Sequence, residues 1–315
     1  MQQIKWHAST WGSPRAWTEP IEYWINEVES RSGGRIKITL HYGEELAPKK
    51  ETLDALAAGA FEMGGVVSAF VPGKIRLHTV FDLPGMPPPI IRHQAEAIIA
   101  LCEHPAVAKE LAERGNAKFL LPAASGTQEI MGKKQIASIT DFQGVKVRAS
   151  GGLAKVMESV GAVPVMMGGP EMFDYLDKGL VDIIVTAWTF GFHSYGLYEA
   201  SEYATTGFAM TSLLGMWPVN LQAWEALPPD IQKIMLDVRE ELPAKFDEAL
   251  QPDEKHLKAF SDAGIEIIQF PTAERAKLIE KAEATWDEWA AEKNAEGLPG
   301  TEILEFLKAE KLKLK

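Results

Sequence analysis

Apolar positions near the start of the chain recur with two different spacings. Residues 17–28 carry them three or four positions apart, which predicts an amphipathic helix packed on one side. Residues 4–8 and 36–40 read as β-strands, and a helix around residues 49–58 is followed by a buried strand at 62–68. Strands that alternate with helices in this way predict an α/β protein with a parallel, doubly wound sheet.

A pattern in the first half of the chain returns in the second half. Residues 34–39 and 144–148 each place a turn glycine before an alternating strand. Residues 53–62 match residues 173–182 position for position, and each reads as a helix closed by glycine, then a strand opened by an acid. Such echoes also arise by chance in α/β proteins. Taken at face value, they predict two similar lobes that meet near residue 124, with a cleft where a small ligand can bind.

The last third of the chain is predicted to be mostly helical. Asp230 follows a Leu-Pro-Pro turn and can cap a long helix that continues to about residue 250. We expect a strand at 264–270, an amphipathic helix at 272–293 and then a lysine-rich terminal helix. Because no flexible linker interrupts the chain, more than one strand crossing is expected to join the lobes.

Composition and charge exclude several classes of function. The 315 residues carry 44 acidic and 32 basic side chains, so the net charge of −12 argues against nucleic acid or an anionic membrane as the main partner. No apolar run approaches the ~18–20 residues needed to span a bilayer. The single cysteine, Cys102, lies in an apolar run and is expected in the core. Met1-Gln2-Gln3 leads straight into the first predicted strand without a signal peptide, which fits a cytoplasmic start or a mature domain with an added methionine.

Motifs typical of enzymes are largely missing from the sequence. It contains no nucleotide-binding G-x-G-x-x-G after a strand, no phosphate-binding loop, no H-E-x-x-H and no G-x-S-x-G. The histidines are scattered, and each is expected to be a surface residue or a hydrogen-bonded buried one rather than a metal ligand. They are His7, His41, His78, His93, His104, His193 and His256. Catalysis is not excluded, but binding is the favoured function.

Two features could bind a ligand. Arg148 ends a predicted strand beside Gly151-Gly152, and its planar guanidinium can hold a carboxylate by two parallel hydrogen bonds. The alternative is a solvated arginine at a strand end. Trp188 and Phe190 follow the strand predicted at 182–185, at the edge where open α/β sheets bind ligands. These aromatic side chains could wall a pocket or pack between helices.

Seven short motifs, in order along the chain, resemble those of the DctP-type solute-binding proteins of tripartite ATP-independent periplasmic (TRAP) transporters. Any one of them is weak, but seven in order are strong. They read RSGGRIKI at 31–38, LAAGAFEMG at 56–64, LP at 83–84, ITDFQGVKVR at 139–148, GAVPV at 161–165, LDKGLVD at 176–182 and NLQAWEALP at 220–228.

The resemblance implies a type II periplasmic-binding fold, in which two α/β lobes surround a ligand cleft and are joined by strand crossings, with C-terminal helices. Lobe I is expected to comprise residues 1–124 and 213–253, and lobe II residues 125–212 and 254–315. The implied function is that of a periplasmic receptor that performs no chemistry and delivers an organic acid to the two membrane subunits of a TRAP transporter. Arg148 is then the carboxylate-binding arginine of the family.

Departures from the family pattern bear on the ligand. Gln128 stands where sialic-acid-binding members often carry a second arginine, and Val67 where they use an acid. With one cation and few polar partners, the cleft is expected to take a monocarboxylate with an apolar or aromatic body. Family members that bind 2-oxo acids with the help of a metal carry an acid–tryptophan pair after the strand predicted from residue 182. Here the position reads Val185-Thr186, so neither metal nor cofactor is predicted. The expected ligand-binding residues are Ser9, Trp11, Val67, Phe70, Gln128, Arg148, Gly169, Thr186, Trp188 and Phe190.

Two alternatives stay open. A receptor of similar fold could serve an ABC importer or a sensor instead of a TRAP transporter. An enzyme acting on carboxylates, such as a lyase or transferase, could use the same cleft.

Overall fold

The computed structural model describes residues 3–149, 151–251 and 254–314, without the side chains of residues 189, 190 and 254–257. The strands are β1 Ile4–Ser9, β2 Ile36–His41, β3 Met63–Gly64, β4 Val66–Val67, β5 Ala117–Ala123, β6 Gln128–Gly132, β7 Lys146–Arg148, β8 Val163–Val165, β9 Ile183–Ala187, β10 Tyr203–Thr206, β11 Gly215–Asn220 and β12 Glu266–Gln269. The helices are α1 Glu19–Arg31, α2 Thr52–Ala57, α3 Ile91–Glu103, α4 Pro105–Gly115, α5 Gly151–Ser159, α6 Met172–Asp177, α7 Leu221–Glu225, α8 Pro229–Arg239, α9 Leu242–Leu250, α10 Glu254–Asp262, α11 Thr272–Ala295 and α12 Gly300–Lys313. Short 3₁₀ turns include Ser68–Phe70 and Leu77–Asp82, and Trp188–Phe192 forms one π-helical turn.

The strands form two sheets of six strands each. The first has the order β2-β1-β3-β11-β4, with β5 also paired to β11, and the second has the order β12-β10-β6-β9-β7-β8. The prediction of a parallel sheet is wrong, because β11 runs antiparallel to its neighbours in the first sheet and β6 does so in the second. Each of these strands enters its sheet from the other sheet, so no helical crossover within a lobe forces it parallel.

Two connections between the sheets run side by side where the lobes meet. Residues 123–128 and 206–215 pair through a bridge between Thr127 and Ser212. The Leu213 N–H donates to Ser125 Oγ at 2.9 Å. These are the strand crossings that the resemblance implies, and the two-lobe α/β architecture is the predicted fold.

The C-terminal helices bind the two lobes together. Helix α11 packs against α5 and against the Leu77–Asp82 turn. Its Trp286 and Trp289 donate indole hydrogen bonds of 2.8 Å to the Pro84 carbonyl and the Thr79 hydroxyl. Helix α12 packs against α11 and against α3 of the first lobe. The predicted lobe boundaries stay a prediction.

Several local features differ from the sequence-based expectations. The long helix expected from Asp230 is two helices, α8 and α9, with Pro243 in the first turn of α9. Asp230 is no cap: Pro228 occupies that position, and the Asp230 carboxylate pairs with Arg35. The strand predicted at 62–68 is divided into β3, β4 and a 3₁₀ turn.

The hydrophobic core holds two side chains of special interest. Cys102 is 1% exposed, which confirms its predicted core position, and burial raises the pKa of its thiol. His78 is fully buried, but neither ring nitrogen has a hydrogen-bond partner in the described structure, so the expectation of a hydrogen-bonded histidine is wrong there. Burial lowers the pKa of His78 to about 3.

No helix in the described ranges is both long and apolar enough to cross a bilayer.

Candidate ligand site between the lobes

A cavity of about 490 Å³ lies between the two sheets. Six of the ten predicted ligand-binding residues line it, and both lobes contribute. The lining residues are Trp11, Gly12, Ser13, Arg15, Trp17, Lys49, Phe70, Ser125, Gln128, Arg148, Gly169, Met172, Thr186, Ser194, Tyr195 and Leu213. No aspartate or glutamate is among them, although acids outnumber bases in the chain as a whole.

Arg148 projects into this cavity from the end of β7. The parallel register places Arg148 beside Ile184 of β9, and its Nη1 donates to the next carbonyl, Val185 O, at 3.0 Å. The side chain is half-buried and has no carboxylate within ion-pair distance among the described residues. Burial therefore lowers the pKa of Arg148, while the nearby Tyr195 phenol raises it by less. A desolvated, fixed and unpaired guanidinium is suited to an anionic ligand.

Gln128 and Thr186 line the same wall from β6 and β9. The Gln128 side-chain oxygen accepts a 3.0 Å hydrogen bond from Thr211 Oγ1. This bond fixes the amide and leaves its nitrogen as a possible donor to a ligand. Thr186 is 6% exposed and supplies a hydroxyl at the end of its strand. Both side chains sit on strand ends, where backbone hydrogen bonds fix their positions.

Aromatic rings form much of the opposite wall. Trp11 packs against Trp17, with ring centroids 4.5 Å apart, and meets Phe70 edge to face at 5.3 Å. Tyr195 adds a ring from lobe II, on the same side of the cavity as Arg148. It approaches Gly169 so closely that a Cβ there would lie 2.4 Å from the phenol oxygen. A side chain at residue 169 would therefore displace the Tyr195 ring. The rings together can enclose a flat apolar body.

The sequence analysis missed two cations of this cavity, Arg15 and Lys49. The Arg15 guanidinium carbon lies 5.4 Å from the Trp11 ring centroid and 5.2 Å from that of Trp17. Burial lowers the pKa of Arg15. Lys49 lies 5.2 Å above the Phe70 ring and 3.9 Å from Glu44. The loop after the first strand, at the edge where α/β sheets bind ligands, was the signal that could have identified Arg15.

A smaller chamber of about 290 Å³ adjoins the cavity and shares Gln128, Arg148 and Leu213 with it. Asp82 lines this chamber and accepts a 2.9 Å hydrogen bond from Ser68 Oγ. Burial raises the pKa of Asp82 to about 7.

Four predicted ligand-binding residues are not part of the cavity lining. Ser9 and Val67 are buried in the first sheet, at 0% and 1% exposure. Trp188 turns into the core of lobe II, where it packs against Phe260 at 5.1 Å and its indole N–H donates to Thr205 O at 3.0 Å. The sequence analysis left open whether Trp188 and Phe190 wall a pocket or pack inside the protein. Trp188 packs inside the protein. The Phe190 side chain lies outside the described part of the chain.

Trp188 lies instead beside a buried carboxylate at the lobe junction, Glu129. The backbone N–H groups of residues 207, 208 and 209 donate to Glu129 at 3.2, 2.9 and 3.2 Å, and Thr205 Oγ1 donates at 2.9 Å. These bonds hold the start of the 206–215 crossing. Burial raises the pKa of Glu129 to about 7, while the bonds act in the opposite direction.

Within the described residues, no group of three or more histidine, cysteine, aspartate or glutamate side chains is arranged to hold a metal. The structure does bring together two histidines that are far apart in sequence: His7 Nδ1 lies 2.9 Å from His41 Nε2. The ring of His41 also contacts Glu45 at 3.2 Å. This pair lies on the adjacent strands β1 and β2, and neither histidine lines the cavity.

Comparison with protein families gives a match over most of the chain. The model of DctP, bacterial extracellular solute-binding protein family 7, matches residues 7–293. Among curated proteins, a monocarboxylate 2-oxoacid-binding periplasmic protein from Nostoc is 27% identical over 243 residues. That match covers 74% of this chain and 65% of the relative, so the chain spans just under two thirds of the relative's length.

Solved structures agree with the observed architecture. A TRAP periplasmic solute-binding protein from Desulfovibrio salexigens superposes with a TM-score of 0.83 at 25% identity, covering 99% of this chain and 96% of the other. A marine metagenome TRAP solute-binding protein specific for aromatic acid ligands, in complex with 3-hydroxybenzoate, gives a TM-score of 0.81 at 21% identity, covering 99% of both chains.

Proposed function

The chain belongs to the DctP family of bacterial extracellular solute-binding proteins, and we propose that it is a TRAP receptor for an organic acid with an aromatic or apolar body. The carboxylate would bind Arg148, and the ring would lie against Trp11 and Phe70. Gln128 and Thr186 would complete the polar contacts around the carboxylate. This role assigns binding rather than chemistry to the cleft.

The observation that carries the proposal is the charge of the cavity wall. Arg148 is half-buried and donates a hydrogen bond to a carbonyl, while none of the sixteen lining residues is an acid. Removing a cation from water without a counter-charge is costly, so such an arrangement favours an anion supplied by the ligand. A guanidinium held by the Val185 carbonyl still presents other N–H groups to a carboxylate.

The aromatic part of the proposal rests on the rings that line the cavity from both lobes. Trp11, Trp17, Phe70 and Tyr195 offer ring faces and edges that suit a flat body. The structural relative that binds 3-hydroxybenzoate shows that this fold accommodates an aromatic acid. The expectation of a ligand with a single carboxylate assumed that Arg148 is the one cation of the site. Arg15 and Lys49 also line the cavity, so that assumption does not hold.

The proposed location of the protein is the periplasm, and its proposed partners are the membrane subunits of a TRAP transporter. A receptor must close around its solute for a transporter to distinguish the loaded form, and the two paired crossings at residues 123–128 and 206–215 provide a hinge between the lobes. Binding of the acid between Arg148 of lobe II and the rings of lobe I would favour closure, since only the closed form makes both sets of contacts.

A thermal-shift screen of organic acids tests the proposal. An acid that binds only the folded protein stabilises it by RT ln(1 + [L]/Kd), or ~2.7 kcal/mol at a hundredfold excess over Kd. We expect benzoate-like acids to raise the Tm and the matching amides, such as benzamide, to leave it unchanged. A Tm unmoved by every acid in a broad library would overturn the proposal. Conversion of a bound acid to a product would favour the enzyme alternative.

A further inference from the structure

Arg15 is fixed in place by its own loop. Its Nη1 donates to the Trp11 and Ser13 carbonyls, both at 2.8 Å. Gly12, at φ +69°, makes room for this geometry, because a Cβ there would lie 2.6 Å from Arg15 Nη1. The guanidinium is thus pre-organised between the loop backbone and the indoles of Trp11 and Trp17.

The charge of Arg15 has no counter-charge in the described structure. Arg31, Arg35, Arg76, Arg92 and Arg239 each pair with a carboxylate. Arg15 is half-buried in the cavity wall and makes its recorded hydrogen bonds through Nη1 to carbonyls alone, so Nε and Nη2 remain as donors. A donor pair that is fixed, charged and unpaired is suited to a second oxygen anion.

Arg15 and Arg148 belong to different lobes but line the same cavity. A monoanion held by Arg148 would leave Arg15 uncompensated when the cleft closes and water is excluded. Lys49 differs, because Glu44 lies 3.9 Å from it and it is 41% exposed. Two arginines without ion-pair partners among the described residues, one from each lobe, therefore favour an occupant that carries two negative charges.

We infer that the ligand is a ring-containing dianion, with one carboxylate on Arg148 and a second anionic group on Arg15, which makes Arg15 the residue that selects dianions. This inference rests on the proposed function. The rings of Trp11 and Phe70 would lie beside the body that joins the two anionic groups, and closure would bring the second arginine onto the bound molecule.

The competing interpretation is that Arg15 is a structural staple, a residue that only holds its own loop in shape through the two hydrogen bonds to the Trp11 and Ser13 carbonyls. The two roles differ in what they do to a monoanion. A staple holds Trp11 in place for any aromatic acid, so its loss weakens monoanions and dianions alike. A dianion-selecting arginine acts on the second anionic group, so its loss removes the difference between them.

Calorimetry with benzoate, benzene-1,3-dicarboxylate and benzene-1,4-dicarboxylate separates these roles. We expect the parent protein to bind one of the dicarboxylates roughly tenfold or more tightly than benzoate. Loss of a fully desolvated charge pair weakens binding by more than tenfold, and the effect expected here is smaller because Arg15 is only half-buried. Arg15→Met should abolish the preference and leave the benzoate Kd within about threefold. Arg15→Lys should restore part of it, because an ammonium keeps the charge without the fork.

Two control variants accompany the measurement. Arg114→Met removes an exposed arginine of the first lobe whose recorded partner is the Gly73 carbonyl, and it should leave the preference unchanged. Lys49→Met removes the other cation of the same wall and should have the smaller effect on the preference. If Lys49→Met abolishes it and Arg15→Met does not, the assignment to Arg15 is overturned.

The remaining outcomes are equally decisive. If the parent binds benzoate but neither dicarboxylate more tightly, the inference fails while the proposed function stands. If Arg15→Met weakens benzoate and the dicarboxylates equally, Arg15 is a staple and the inference fails. If the parent binds none of the three probes, the result counts against both proposals.

Discussion

The two walls of the cavity are built in different ways. Lobe II presents Gln128, Arg148 and Thr186 from the ends of adjacent strands, where the ladder of β6, β9 and β7 fixes their spacing. Lobe I presents Trp11, Arg15 and Phe70 from a loop and a 3₁₀ turn, where ring packing and carbonyl bonds hold them. The strand-based wall is suited to one constant task, gripping a carboxylate. The loop-based wall can change in shape and charge without disturbing a sheet, so it is the place to look for ligand selectivity.

The largest expected effect tests the strand-based wall. Arg148→Ala should weaken binding of the cognate acid by ~2–5 kcal/mol, roughly thirtyfold to several thousandfold in Kd, because it leaves a desolvated carboxylate without its partner. Calorimetry on folded protein measures it. Lys146→Ala on the same strand is the control, since Lys146 is exposed and outside the cavity lining. Equal binding by the parent and Arg148→Ala would remove Arg148 from the site.

A second prediction concerns the stability of lobe I in acid. The folded protein holds His78 neutral down to about pH 3, whereas the unfolded chain takes up a proton near pH 6.5. Unfolding therefore binds a proton across this window, and stability is lost as the pH falls through it. At pH 5 this proton uptake lowers the free energy of unfolding by ~2 kcal/mol relative to neutral pH.

Urea unfolding of His78→Leu at pH 7 and pH 5 measures this contribution. The parent should lose ~2 kcal/mol more than the variant between the two pH values. His93→Leu, which replaces a half-buried histidine of α3, provides the control and should follow the parent. Identical pH dependence in the parent and His78→Leu would show that His78 does not carry the penalty.

The loop-based wall predicts a smaller, ligand-dependent effect. Trp11→Ala removes the ring that packs on Trp17 and Phe70 and should weaken an aromatic acid by ~1–2 kcal/mol through lost ring contact. Acetate, which has no ring, should bind both proteins with similar affinity. Competition with benzoate provides the measurement. A uniform loss for both acids would mean that Trp11 supports the cleft rather than the ring.

The smallest effect is expected at Gln128. Its amide oxygen is already bonded to Thr211, so Gln128→Ala should remove one neutral hydrogen bond to the ligand, worth ~0.5–1.5 kcal/mol. Calorimetry against the same acid as for Arg148→Ala gives the ratio between the two residues. A loss at Gln128 as large as that at Arg148 would contradict the view that one charged contact dominates the strand-based wall.

The amino-acid sequence was sufficient to identify the family, the two-lobe α/β fold and the role expected of Arg148. The ordered motifs and the repeated helix–glycine–strand pattern are local in the chain, because turn glycines and period-two strands act through the backbone of neighbouring residues. The buried position of Cys102 was predicted for the same reason, from the apolar residues beside it.

Only the tertiary structure decided what faces the cavity. Trp188 and Trp11 look alike in sequence, yet Trp188 turns into the lobe II core and Trp11 lines the cleft. Arg15 carried no motif, and its place in the wall depends on the indoles and carbonyls that surround it. The antiparallel course of β6 and β11 likewise follows from crossings between sheets. Local pattern determines which face of an element is apolar, whereas the neighbour that covers that face, or leaves it open to a ligand, is set by contacts between residues far apart in the chain.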